Sequence, residues 1–416
     1  TTGGSDNSPP VPQDDVTTEH YKWDSMLAAK LISSSDVSYV IPRRNWANNT
    51  TYDMYEHDIS SSNTTTSGAT NLYAGTYYFM TSDYRVYKVL DNNGGTAYSG
   101  SEPTSETSTP FELGGYRLQY MYKITTTDVT KYLTSDFIPV STDTTVSGDA
   151  VDGSLDIVRT TAGSGYTDGT YYTPVDGDGA NGIVKIVVSG NSIVKQGSAG
   201  TNMYSAGTGY TFANIDLTNV YTDTGLTTAG NIGSGSGGSV QPIISPNGGH
   251  GKDAVHELGG HFVMTNVKLE QNEGNDFTVA NDFREVGLIK NPFNFGTTTV
   301  ATSSTARQTY TVTLTGAPSA AYEIDETITQ STTGAVGRVV EFDSATNTIY
   351  YQQEKYANYG LAANGNVIAF SGSNVITGSN SGGVGTASTY ANPELQPDSG
   401  KVIYIENRRL DIQMPG

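Results

Sequence analysis

Along most of the chain, apolar positions alternate with polar ones in short runs that Gly, Asn, Asp and Ser cut off. That is the period of half-buried strands, not of helices. One stretch departs from it: Trp23, Met26, Leu27 and Leu31 recur at helical spacing and predict a short helix over Glu19–Ile32. Tyr39–Trp46 reads as a strand interrupted by Pro42. Residues 73–98 hold two candidate strands, with Asn93-Gly94 as a tight-turn step. Tyr116–Ile124 and Phe137–Val140 read as further strands.

From about 150 the texture changes. Ala162-Gly-Ser-Gly-Tyr-Thr167 is echoed by Ala206-Gly-Thr-Gly-Tyr-Thr211, an internal repeat, with the clear strand Gly182–Gly190 between the copies. The tract Gly233–Ser239 reads as a flexible linker. From about 305, strands separated by Gly-containing turns suggest a compact barrel or sandwich, and Lys401–Glu406 is a last strand. The expected architecture is mainly β: a multi-domain β-sandwich with inserted small β modules and little helix. Its expected parts are an extended arm (1–20), a β core in two pieces (21–148 and 240–300), inserted modules (149–239 and 301–390), and a returning core strand (391–416).

Composition sharpens this. The 416 residues include 48 Gly and 28 Tyr but only 2 Trp. Lys and Arg number 22 against 42 Asp and Glu, a formal charge of −20, which opposes direct nucleic-acid binding. Without cysteine there is neither a disulfide nor a thiolate metal site. No apolar run has the length of a membrane span. The chain opens on Thr1, not Met, so further N-terminal sequence is expected.

Gly248–His261, GGHGKDAVHELGGH, carries three of the five histidines and approaches the zinc-peptidase pattern HExxH. In that pattern two histidines four apart share a helix face and hold zinc. Here His256 and His261 are five apart, which on a helix turns them about 140° from each other, and Gly259-Gly260 weakens any helix between them. A turn leading into a strand at Phe262 is therefore expected, although His250, His256 and His261 could still converge from loops as a metallohydrolase site. GSGSGG at 233–238 satisfies a dinucleotide signature only literally, with no helix to follow. Asp176-Gly-Asp-Gly resembles a calcium-loop opening, but Val187 stands where its closing Glu belongs. The sequons at Asn48, Asn49 and Asn63 mean little in so Thr-rich a chain. No nucleophile or acid–base set stands out, so no enzyme activity and no cofactor are expected.

Two short words have more identity. Val40-Ile-Pro-Arg-Arg-Asn-Trp46 and Gly400-Lys-Val-Ile-Tyr-Ile-Glu-Asn-Arg408 resemble segments of the baseplate wedge proteins (the eighth-gene-product family) of T-even-like contractile-tailed phages, especially the cyanobacterial-phage members. Gly115–Ile124 with Asp136–Val140, Gly248–Gly260, and Asp282–Pro292 fall in the same order. The likeness covers roughly 20–145, 240–296 and 395–410, leaving out both inserted modules. It implies a non-enzymatic virion component that dimerises and joins other wedge proteins in a six-fold tail baseplate, near fibre-attaching proteins. It also implies a helical segment before the arm and a β tail after the last strand. Arg43, Arg44, Trp46, Tyr404, Glu406, Asn407 and Arg408 are the interface or structural-motif candidates. The main alternative is a receptor- or glycan-binding module, which would require solvent-facing aromatic platforms in 150–235 or 305–385.

Overall fold

In the computed structural model the described residues are 22–197, 199–268, 285–354, 360–363 and 365–407. Strand makes up 39% and helix 7%, a mainly β fold. The chain divides into two compact units, residues 34–266 and residues 1–33 with 267–416.

The first unit runs through β1 (Val37–Pro42), β2 (Tyr78–Met80), β3 (Arg85–Asp91), β4 (Phe111–Leu113) and β5 (Tyr116–Lys123). Helix α1 (Thr126–Tyr132), β6 (Phe137–Pro139) and α2 (Thr144–Asp149) follow. Strands β2-β3-β5-β4 form one antiparallel sheet. It is buried on both faces: Tyr78, Phe79, Val86, Tyr87, Val89, Leu118 and Tyr122 are all essentially inaccessible. Pro42 closes β1 because a proline lacks the N–H that continued pairing needs. Asn93 and Gly94 take the expected left-handed conformation, but they turn the chain after β3, whereas the β2–β3 connection lies at 81–84.

The module that follows contains β7 (Ile157–Ser164), β8 (Gly169–Pro174), β9 (Ala180–Ser189), β10 (Asn202–Thr208) and β11 (Ser236–Ile243). Strand β9 lies between β8 and β10, while β7 pairs with β11. Val184, Ile186, Val188, Tyr166 and Tyr210 fill their own core. The two AGxGYT copies prove to be one structural device used twice. Ala162 faces Gly238 and Ala206 faces Gly182 in the registers. Gly163 and Gly207 both turn left-handed, at φ +59° and +60°, and a Cβ on either would come within 2.6 Å of the facing backbone. The Tyr166 hydroxyl accepts the Gly238 N–H, and the Tyr210 hydroxyl accepts the Gly182 N–H, both at 3.1 Å. Each ring lies against a glycine three residues earlier, Gly235 or Gly179, where a Cβ would sit 2.3 or 2.5 Å from the ring. The Gly233–Ser239 tract is therefore no flexible linker. Most of it is strand, and its glycines make room for Tyr166.

Helix α3 (Ala254–Glu257) and β12 (Phe262–Thr265) complete the unit. Strand β12 forms the edge of the sheet β12-β1-β6, so residues 240–266 close onto the 34–148 part.

In the second unit, Tyr310–Leu314, Thr348–Gln352, Ala335–Asp343, Thr327–Gln330, Val375–Gly378 and Val384–Ala391 close, in that spatial order, into a six-stranded barrel. Val312, Ile328, Ile349 and Ile376 fill it. A barrel was one of the two architectures expected from 305 onward. The returning strand Lys401–Asn407 pairs with Glu285–Lys290, which belongs to this unit. The unit boundaries thus fall at 33/34 and 266/267, where strand pairing changes partner, and not at the shifts of composition.

The helix expected over Glu19–Ile32 is corrected. Residues 22–24 make one helical turn, but Ala28–Lys30 is a strand paired with Thr305–Arg307; Glu19–Tyr21 lie outside the described residues. The spacing misled because Trp23 alone of the stripe is fully buried, with Ala306 and Leu395, while Leu31 is 55% exposed. The sheet edge supplies backbone partners that an isolated short helix would have to find in itself.

Candidate functional site

The three histidines of GGHGKDAVHELGGH do not meet. His256 lies on the surface, its Nδ1–H donating to Asp253 at 2.6 Å, and Asp253 also accepts the His256 N–H as the cap of α3. The exposed His261 stands edge-on to Tyr73, ring centroids 4.9 Å apart. Only His250 is buried. No group of three metal-ligating side chains occurs among the described residues. A short helix, not a plain turn, leads to the strand at Phe262.

The stretch instead builds a buried polar cluster around Glu257, the E of HELGGH. Lys88 enters from β3, flanked by buried Tyr87 and Val89, and donates to Glu257 at 2.7 Å and to His250 Nδ1 at 3.0 Å. An ammonium only donates, so Nδ1 must accept and the imidazole proton sits on Nε2. The Lys88 ammonium also lies 4.1 Å over the Tyr55 ring, whose edge contact with His250 is 5.0 Å. Glu257 accepts two further N–H bonds, from Gly251 and Asp253, and its carbonyl accepts the Tyr77 hydroxyl. Burial lowers the pKa of Lys88, opposed by Glu257, and burial followed by the Lys88 charge holds His250 well below its ordinary value. His250 is therefore neutral. The cluster ties the 248–261 loop to the middle of the sheet, through Lys88, Glu257 and His250. The signal in the sequence was Lys88, a lone charge in the apolar run Val86–Leu90.

The Arg43–Trp46 corner is likewise turned inward. Arg43 donates to the Thr134 carbonyl at 2.7 Å and to Asn45 at 3.0 Å. Arg44 donates to the Tyr73 carbonyl at 3.0 Å and lies 4.3 Å over the Tyr78 ring. Half-buried Trp46 meets Tyr98 edge-on at 5.9 Å. The arginines hold backbone carbonyls of two loops, and among the described residues neither pairs with an acid. Tyr404, Glu406 and Asn407 fall in the returning strand, but their side chains lie outside the described residues, as does all of Arg408.

Asp178 accepts the Thr211 hydroxyl and the Thr211 and Phe212 N–H groups, and these bonds pull its pKa down to about 2. A cavity of about 10 Å³ opens beside Asp91, Glu112, Arg117 and Asp156, room for about one water. It lies on a seam where charged pairs join the module to the sheet. Arg117 faces Glu112 and Asp156 there, and Arg159 pairs with Glu56 and Asp58. Burial raises the Asp91 carboxyl to about 6.

No family model, curated protein or solved structure matches this chain. No described helix is long and apolar enough to cross a membrane.

Proposed function

We propose that the chain is a structural, non-enzymatic subunit of a phage tail baseplate wedge, joining wedge neighbours and a second copy of itself by protein–protein contacts. The observation that carries this reading is the use made of the family-like words. Val40–Trp46 supplies a strand end and two arginines that hold loop carbonyls. Gly248–Gly260 supplies the partners of buried Lys88. Words shared for architecture suit a family defined by assembly. Exposed apolar side chains on strands add support: Tyr39, Phe262 and Val263 on β1 and edge strand β12, and Val286 and Ile403 on the two-stranded ribbon of the other unit. Such edges and patches are where chains join one another.

The test is particle association. Tails purified from the phage encoding this chain should contain it in about six or twelve copies per particle, as closed six-fold symmetry requires. Absence from tails, or a copy number that follows whole sheath rings, refutes the proposal.

A further inference from the structure

Many tyrosines of this chain use their hydroxyl inside the fold. Those of Tyr77, Tyr78, Tyr87, Tyr98 and Tyr116 each donate to a backbone carbonyl. Tyr172, Tyr204 and Tyr221 do not: among the described residues none of their hydroxyls has a protein partner, although all three belong to the 150–245 module.

The backbone register brings these three together. Tyr221 bridges Tyr172, Tyr172 faces Lys185, and Lys185 faces Asn202. Directly opposed residues of antiparallel strands share a face. Tyr221, Tyr172, Lys185 and Asn202 therefore form one row across three strands and the bridge at Tyr221, about 14 Å long at the usual strand spacing. Tyr204, two residues beyond Asn202, stands on the same face, its ring 5.4 Å from that of Tyr172 at 78°. Tyr204 is 54% exposed, and Tyr172, Lys185, Asn202 and Tyr221 are half-exposed. The reverse of the same strands, with Tyr171, Val184 and Ile186, is packed core. The Lys185 ammonium has no ion pair or hydrogen bond among the described residues.

We infer that this row binds a glycan, a short run of pyranose rings. The Tyr172–Tyr204 corner offers aromatic surface to the C–H face of a sugar. The Lys185 ammonium, the Asn202 amide and the free phenols supply donors and acceptors to its hydroxyls. Such a mix of rings and few convergent polar groups is the usual make-up of a ligand site. A protein partner pressing an apolar surface here would bury the ammonium, amide and phenols unpaired, which is unfavourable. The acidic chain opposes a phosphate backbone. This goes beyond the wedge proposal and stands without it, since the row exists whatever the chain assembles with.

The test is a glycan array of neutral and uronate-containing oligosaccharides probed with the full chain, hits being confirmed by saturation-transfer NMR. Binding is expected, and Tyr172→Ala/Tyr204→Ala should weaken it by at least about tenfold, equivalent to about 1.4 kcal/mol. Tyr204→Ala alone, at the more exposed position, carries the test if the double variant melts early. Tyr204→Phe keeps the ring and should retain most of the affinity. Lys185→Gln should weaken uronate hits more than neutral ones. A blank array with the wild-type chain, or hits that both alanine variants leave unchanged, overturns the inference.

Discussion

Removing the Glu257 carboxylate tests the buried cluster most directly. In Glu257→Ala the Lys88 ammonium stays inaccessible with only a neutral imidazole and the Tyr55 ring beside it. Breaking a buried pair from one side costs about 3–5 kcal/mol, because an uncompensated charge remains. The Gly251 and Asp253 N–H groups also lose their acceptor, each worth about 1 kcal/mol or more where water cannot replace it. These losses share one site and do not add fully, so about 4–5 kcal/mol is expected. For a unit spanning residues 34–266, each kcal/mol moves Tm by roughly 2–4 °C, so the unit should melt about 8–20 °C earlier. The two tryptophans fall in different units, Trp23 in one and Trp46 in the other. In a Trp23→Phe background, Trp46 fluorescence follows the relevant unit alone. Glu257→Gln removes the charge and keeps one acceptor oxygen, but its NH2 would face one of the two N–H groups, which bond to different carboxylate oxygens, so it should lose nearly as much. Lys88→Met with Glu257→Leu removes both charges and should recover most of the loss, since apolar replacement of a buried pair is often neutral or stabilising. A Glu257→Ala melt within about 2 °C of wild type, or a double variant no better than the single, would refute the account of the cluster as a structural tie.

His250 is held neutral, its folded pKa below the unfolded value near 6.5, so its contribution is full above that pH and is lost as pH falls. The unit should lose up to about 1.4 kcal/mol per pH unit below 6.5 on this account, and His250→Gln should flatten that part of a pH series of melts. Asp91 has the opposite sign: its folded pKa, raised to about 6, makes the charged form costly at neutral pH. Asp91→Asn, which keeps an acceptor for the Asn93 N–H, should stabilise at pH 7 by up to about 3 kcal/mol and have little effect at pH 4. Gly163→Ala combines a left-handed φ with a Cβ 2.3 Å from the Gly238 nitrogen and should cost more than 2 kcal/mol in denaturant melts. Gly209→Ala, with φ +75° but open space around it, should cost about 1–2 kcal/mol, the strain of the conformation alone; equal losses would remove close packing from the explanation.

What the sequence disclosed depended on how local the physics was. Strand texture is a period of two along the chain, and β3, β5 and the barrel strands were visible in it. Pro42 and Asn93-Gly94 declared a strand end and a turn because their backbone restrictions belong to the residue itself. The helix over Glu19–Ile32 failed because a partner about 280 residues away, Thr305–Arg307, supplied strand pairing that no local pattern records. The same distance hid the site. HELGGH could be rejected as a zinc helix from its spacing, yet nothing near it announced Lys88, 169 residues earlier in the chain. The AGxGYT copies are legible as a repeat, but nothing local marks Gly179-Ala-Asn-Gly182 and Gly235-Ser-Gly-Gly238 as their partners. Only the pairing shows that they are the other half of the device.

The abundance of tyrosine over tryptophan follows from that architecture. A turn-rich β protein leaves many loop carbonyls near its core, and each needs a donor where water is excluded. A phenol ring fills core volume and carries a hydroxyl at its far end, so one side chain packs and satisfies at once. Tyr77 does this for the loop carrying Glu257, Tyr78 for the end of β1, and Tyr116 for the turn after β3. In the module the logic inverts, and Tyr166 and Tyr210 accept strand N–H groups across a glycine gap. Given this pattern, a tyrosine is most informative where its hydroxyl is left over. Among the described residues, Tyr172, Tyr204 and Tyr221 are left over together, on one face, with a lysine that has no ion pair there. Scattered exposed tyrosines would need no explanation; an aligned row of them, backed by a filled core, is a surface with unused bonding capacity, which a hydroxyl-rich ligand matches.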